Sequence, residues 1–385
     1  MERLLGQLSF FWGKVCGSLF PRVEEALGPL TEKHKKLITT LEMIRIEEWI
    51  KDFRGVPWRP PKDRPQIARA FVGKMVYNLD TTRALMDRLA SDRTLKQICG
   101  WDPKARLPSE SKFSRAFGEF AATQLPARVH EVLVQQTHQD QLVGHISRDG
   151  TEIEARERPV KKTTAKKDPP QRKRGRPKKG EEAPPKPPTR LEQQPHWSLQ
   201  QCLDELPKHC DVGTKRNSNG HIETWIGYGF HIDTADGGIP ISCVLTSASL
   251  HDSQVAIPLA KMTAARVTSL YDLMDSAYDA AQIKQNSRSL GHVPIIDVNP
   301  RANQALKEEL TAEAKRLRVI GFQMPETTRY HQRTASERVN GRLKDEFGGR
   351  KVRVRGHAKV FCHLMFGMLA LTVDQLLRFV PSYAG

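Results

Sequence analysis

Hydrophobic positions change their spacing near residue 140. Upstream, Ile67, Ala70, Phe71 and Met75 recur at three- and four-residue steps from Pro65, with Lys74 and Asn78 on the same spacing, which predicts a helix. Further helices are predicted over residues 82–89, 94–99 and 127–136. Another starts at a capping Ser109 and carries Phe113, Phe117 and Phe120, after a break at Gly100, Pro103 and Pro108. Residues 1–60 carry a weaker signal; 42–52 reads as helical, and Pro57, Pro60 and Pro61 close it.

Downstream the period shortens to two. Residues 143–146 predict a strand that runs into a tight turn at Arg148-Asp149-Gly150, with 151–155 extended beyond it. After a helix at 199–206, Ile226, Tyr228, Phe230 and Ile232 alternate on one face, and Ile239, Ile241, Cys243 and Leu245 alternate on the return from Asp236-Gly237-Gly238. Helices at 251–262, 280–289 and 305–317 then alternate with strands at 269–274 and 292–298, and a long helix starts near Thr334. Three strands followed by helix–strand units predict a mixed α/β layer, its first three strands antiparallel and the rest joined by helical crossovers. The apolar run 361–380 contains His363, Asp374 and Arg378, which suits a buried terminal helix and not a membrane span.

Composition alters this picture mainly through charge. The 385 residues carry a formal net charge of +17, which points to a polyanionic partner; a ribosomal or membrane-surface protein has a similar balance. Residues 156–190 hold 14 Lys or Arg, 4 acids and 8 Pro, supplying +10 of that charge with almost nothing apolar to bury. Such a segment cannot repay its ordering entropy, so a disordered basic insertion is expected. Its centre, Arg172-Lys173-Arg174-Gly175-Arg176-Pro177-Lys178-Lys179, resembles an AT-hook; Arg174, Arg176, Lys178 and Lys179 would suit a narrow minor groove, and a basic solubilising tether reads the same way. Upstream of it, short helices with Arg- and Lys-rich polar faces suit a helix-turn-helix-like DNA module, or a generic helical packing domain. Six scattered cysteines without a CxxC pair predict free thiols in a reducing, cytoplasmic compartment, and His196, Cys202, His209 and Cys210 lack the paired spacing of a zinc site.

Among the acids, Asp149 follows the first strand, Asp275 ends the strand at 269–274, and Glu337 opens the long helix. Phosphodiester cleavage needs a few carboxylates on rigid elements to hold two hard cations, Mg²⁺ or Mn²⁺. Each acid also has a plainer role: Asp149-Gly150 as a turn, Asp275 as a helix cap, Glu337 in a capping box with Thr334. Asp233, Asp252, Asp272 and Asp297 are rival positions. On one continuous helix, Tyr330, Arg333, Glu337 and Lys344 would share a face within about 60°. Cations there would hold phosphates and the ring would stack on a base, although Arg333 and Glu337 are also spaced for an ion pair.

Tyr330, Arg333, Glu337 and Lys344, at intervals of two, three and six intervening residues, resemble the signature of the DDE-type transposases of bacterial insertion sequences. Asp149-Gly150-Thr151 and Asp275-Ser276-Ala277-Tyr278-Asp279 look like the blocks around the family's two aspartates, with Ala277 where Gly often stands. Trp225-Ile226-Gly227-Tyr228, Asp236-Gly237 and His251-Asp252-Ser253 resemble blocks between them, and residues 64–120 resemble the family's helical N-terminal domain. The resemblance implies a ribonuclease-H-like catalytic domain at 141–380 interrupted by the insertion. A helical DNA-binding domain at 64–140 and a helical extension at 1–63 would precede it. It implies Asp149, Asp275 and Glu337 as ligands of two Mg²⁺ or Mn²⁺ ions, with Tyr330, Arg333 and Lys344 on DNA. It further implies end cleavage and strand transfer on double-stranded DNA by a homodimer. An inactive transposase-derived DNA-binding protein, or a nuclease that cuts without joining, are the alternatives.

Overall fold

The computed structural model describes residues 2–50, 63–139, 141–160, 187–216, 220–381 and 383. The basic centre of the insertion, with Arg174, Arg176, Lys178 and Lys179, lies outside the described residues. Among the described residues eight α-helices come first: α1 (Glu2–Lys14), α2 (Phe20–Leu27), α3 (Glu32–Ile44), α4 (Arg64–Val76), α5 (Thr82–Ser91), α6 (Arg93–Ile98), α7 (Glu110–Ala122) and α8 (Leu125–His138). The predicted helix at 42–52 is instead the end of α3: Arg45 takes a left-handed conformation that stops it, and a 3-10 turn, Ile46–Trp49, follows. Much of the N-terminal helical structure was not predicted; α1 and α2 bury only Leu4, Leu8 and Phe20 between them.

The second half contains β1 (Leu142–Glu154), α9 (Arg190–Gln193), α10 (Leu199–Glu205), β2 (Asp211–Arg216), β3 (Ile222–Ala235), β4 (Ile239–Ser247) and α11 (Ser253–Ala264). After these come β5 (Thr268–Met274), α12 (Ala281–Ser289), β6 (Val293–Ile296), α13 (Gln304–Ile320), α14 (Pro325–Tyr330), α15 (Thr334–Glu346) and α16 (His357–Leu377). Among the described residues six strands form one sheet in the order β2-β3-β1-β5-β6, with β4 also paired to β3. The β1–β3 and β3–β4 ladders are antiparallel, and β1–β5 and β5–β6 are parallel, as predicted. Strand β2 was not predicted; its six residues pair antiparallel with the start of β3.

One correction bears on the site. The expected turn at Arg148-Asp149-Gly150 does not exist: β1 runs straight through, with Asp149 opposite Ile232 and Gly150 opposite His231 of β3. A strand buried on both sides lacks the clean alternation that would have marked it as continuous.

Helix α16 is long and apolar enough to span a membrane by composition, yet 89% of its most apolar window is buried. It packs against α3, α4, α7, α8 and β4, with Phe366 ringed by Phe71, Phe117 and Phe120. The terminal helix is therefore a core helix, and one continuous apolar core joins the N-terminal helices to the sheet.

Candidate active site

Strand pairing brings the acids into register. In the parallel β1–β5 ladder the last pair is Ser147 and Leu273; counting two residues on, Asp149, still inside β1, comes level with Asp275, just past the end of β5. In β5–β6, Met274 lies opposite Ile296, so the next pair is Asp275 and Asp297. Three aspartates thus reach the same sheet edge on adjacent strands, where neighbouring backbones are about 4.8 Å apart. In open α/β sheets this carboxyl edge is where ligands bind.

Alternation along β1 sends its side chains to opposite faces. Arg148 turns inward and donates to both oxygens of buried Asp233, at 2.8 and 2.7 Å. Asp149 turns toward α15, where Asn340 Nδ2 donates to its Oδ2 at 2.9 Å. Ser147, on the same face, donates to the Gln332 carbonyl just before α15.

Asp275 caps a single 3-10 turn, Ser276–Tyr278, accepting from the Ala277 amide at 2.9 Å. The plainer role of Asp275 is realised, and one of its oxygens stays uncommitted by that bond.

The capping box expected at Thr334 is absent. Residues 331–333 form a 3-10 turn joining α14 to α15, Arg333 is already helical at the cap position, and no side chain caps the helix. Glu337 is therefore free of capping, but the 3-10 turn breaks the single helical face expected for Tyr330, Arg333, Glu337 and Lys344.

Arg333 joins the acids. Its Nη2 donates to Glu337 Oε1 at 2.7 Å, and its guanidinium lies 5.6 Å from the Tyr330 ring centre. Burial opposes the Arg333 charge, but the fields of Tyr330, Glu337, Asp149 and Asp275 outweigh it and hold it protonated. Burial pushes the Asp149 carboxyl up to about 7; Arg333 opposes the rise, and Asp275 and Asp252 add to it. Asp275 is raised for the same leading reason, with Asp252 and Asp297 adding to burial.

Of the rival acids, Asp233 and Asp272 are structural: Asp233 serves Arg148 and Thr263, and Asp272 serves Ser287 and His292. Asp252 and Asp297 belong to the site. Asp252 Oδ1 lies only 3.0 Å from where a Cβ on Gly150 would stand, so any side chain there would push on it. Buried His231, whose Nδ1 is 3.6 Å from Asp252 Oδ1, stands beside it. The histidine-aspartate pair at 251–252 was visible in the sequence, but nothing in periodicity singled out His231 or Asn340.

Lys344 is held by an acid of β1. Its Nζ bonds Glu152 Oε1 at 2.7 Å, and Lys215 bonds Oε2 at 2.8 Å. Burial would raise the Glu152 carboxyl, but the two lysines hold it down at about 2.

The donor set at the sheet edge is all carboxylate, which fits a hard divalent cation. Buried Tyr278 Oη, Asn340 Oδ1, His231 Nδ1 and Arg333 Nε lack hydrogen-bond partners around these acids, which fits a site for a ligand rather than a closed salt-bridge network. Among the described residues no three ligating side chains converge on one point at metal-binding distance, and Arg333 stands among the acids. Among the described residues His196, Cys202, His209 and Cys210 form no such cluster, and all six cysteines are free.

A five-strand path of three antiparallel strands followed by two parallel ones, flanked by helices and carrying acids at its carboxyl edge, defines a ribonuclease-H-like catalytic domain. Two family models match the chain: the Transposase DDE domain over residues 204–373 and the Transposase domain (DUF772) over residues 28–119. The chain belongs to the DDE transposases of insertion sequences, a family of DNA-acting enzymes that generally use divalent metals. No curated protein and no solved structure matches it.

Proposed function

We propose that this transposase binds the inverted-repeat ends of an insertion sequence, hydrolyses the phosphodiester bond at each end, and transfers the resulting 3′-hydroxyl to target DNA. The observation that carries this reading is the closeness of Asp149 in β1 to Asp275 just past the end of the neighbouring β5, with Glu337 tied to them through Arg333. Asp149, Asp275 and Glu337 would hold two Mg²⁺ or Mn²⁺ ions, Glu337 turning from Arg333 toward the acids. Such ions, when bound, activate the attacking oxygen and relieve charge on the leaving one.

The chain's own groups supply the rest. Arg333, released from Glu337, neutralises a phosphate, and Tyr330 supports the backbone or a displaced base beside it. Asn340 fixes the orientation of the Asp149 carboxylate. Lys344 can exchange Glu152 for a phosphate. Helices between residues 64 and 140 and the basic tract around Arg174, Arg176, Lys178 and Lys179 would bind end DNA, and a homodimer would pair two ends.

The test compares the wild-type chain with Asp275→Asn on duplexes carrying the ends of the element, with Mg²⁺ present. Loss of nicking with end binding nearly intact is expected; equal nicking by the variant overturns the assignment. Nicking without strand transfer by the wild type identifies a nuclease, and binding without nicking an inactive relative.

A further inference from the structure

Helix α13 and the segment after it stand apart from the core. Its 17 residues include none that is buried, and it packs substantially against no other described element. Yet it is amphipathic. At about 100° per residue, Leu306, Leu310, Leu317 and Ile320 fall within roughly 80° of one another. Leu310 is 38% exposed and Ile320 68%, and Phe322 and Met324 beyond them are 52% and 44% exposed. An isolated helix of this length is marginal in water, and its apolar stripe gains nothing while it faces solvent. Its local supports are an Asn303 cap, a left-handed Gly321 stop and an Arg316–Glu313 ion pair. Leu306 and Leu317 are half-buried and Glu313 falls within the same arc, so the stripe is bare chiefly at Leu310 and Ile320; exposed apolar side chains on a helix that packs substantially on no other described element mark an interaction surface.

Charge decides what covers it. Glu308 and Glu309 lie in the first half of α13 and Lys315, Arg316 and Arg318 in the second, with Lys307 and the near-central Glu313 the exceptions. A helix whose acidic half precedes its basic half is complementary to an antiparallel copy of itself. The register is specific. A two-fold axis near residue 313 places Leu306 opposite the partner's Ile320 and Leu310 opposite the partner's Leu317. The same axis sets Glu309 opposite the partner's Arg316, because both lie on one flank of the stripe. Uniform basic charge would have favoured DNA instead, and the acidic half argues against that.

We propose that α13 is a self-association surface, pairing antiparallel with α13 of a second copy of this chain through Leu306, Leu310, Leu317 and Ile320 and crossed Glu309–Arg316 contacts. The inference does not depend on the catalytic reading. Two helices about 26 Å long bury less than the roughly 1,200 Å² at which stable interfaces begin, so a dissociation constant on the order of 10 µM is expected for the free protein. Glu313 lies near the axis and faces its own copy, with Arg316 of the same helix offsetting the repulsion.

The experiment measures the self-association of the full chain, without DNA, by sedimentation equilibrium from 1 to 200 µM. Glu309→Arg and Arg316→Glu should each weaken the dimer ten-fold or more while leaving the far-ultraviolet circular dichroism unchanged. Mixed in equal amounts, the two variants should form a heterodimer near the wild-type affinity, because both crossed contacts are then opposite in sign again, one reversed and one as in the wild type. A misfolded variant cannot give that rescue. Leu310→Asp should abolish association, and Glu313→Gln should strengthen it. A wild-type chain that stays monomeric to 200 µM, or a dimer indifferent to both charge reversals, overturns the proposal.

Discussion

Arg333 donates to Glu337 at 2.7 Å while its charge also faces Asp149 and Asp275, so a single guanidinium is the common neighbour of the three acids. A fixed cation in that position competes with any divalent ion and is also the nearest group to offer a phosphate. Replacing it separates the two roles. Arg333→Gln should bind Mn²⁺ at least as tightly as the wild type, measured by titration calorimetry, while end cleavage falls by roughly 10²–10³. Weaker Mn²⁺ binding in that variant would show that Arg333 organises the acids and does not compete at them.

The raised Asp149 carboxyl makes stability depend on pH with a definite sign. Its folded value, about 7, lies above the usual aspartate value of about 4. The proton is therefore held more tightly in the folded state. That contribution is fully present below pH ~4 and is lost as pH rises through about 7. Asp149→Asn removes the charge and keeps an acceptor for Asn340. In the absence of metal it should match the wild type at pH 4 and exceed it by roughly 1–3 kcal/mol at pH 8, after allowing for solvent screening. Denaturant melts at both pH values check this, and a gain at pH 4 equal to that at pH 8 would refute it.

Glu152 holds two lysines, and its lowered carboxyl gives the opposite sign. Its stabilising effect is present above the usual glutamate value and is lost as pH falls toward about 2. Because the group is one-third exposed, the loss in Glu152→Gln at pH 7 should be no more than about 1 kcal/mol. The same change frees Lys344 and Lys215. Non-specific DNA binding should tighten, and the slope of log K against log salt should steepen by about one per lysine recruited. An unchanged slope would mean that neither lysine reaches phosphate.

The sheet was legible in the sequence where a strand had one wet face or a turn signal, as with Ile226 to Ile232 and the return from Gly237. It was least legible at β1, because Arg148 sits in the core and Asp149 at the edge, so neither face looks uniformly apolar. The helix around Glu337 was legible as a pattern, but the 3-10 turn at 331–333 is a tertiary effect: Ser147 of β1 binds the Gln332 carbonyl, and no local propensity announces it. Asp297 and Asp252 were visible only as rivals, since strand register and the approach of α11 to Gly150 place them. The exposed apolar positions of α13 read as an ordinary amphipathic helix, because periodicity does not reveal whether a partner is present in the same chain.

Arg148 and Asp233 form the buried ion pair behind the site, 2% and 0% exposed, and Thr263 also bonds Asp233, at 2.6 Å. Such a pair is costly to assemble and more costly to break, because removing one member leaves the other charged without a partner. Arg148→Met should therefore destabilise the protein by about 3–5 kcal/mol, while Arg148→Met combined with Asp233→Leu should recover most of the loss. The pair also sets the side-chain direction at its neighbour: with Arg148 locked inward, alternation turns Asp149 toward Asn340. If that coupling is real, the double variant regains stability and keeps Mn²⁺ affinity within a few-fold of the wild type only if the new apolar pair holds β1 in register. Hydrogen exchange at the Asp149 and Gly150 amides reports that register directly. Restored stability with rapid exchange at those amides would show that the ion pair specifies the position of the site, and not merely its stability.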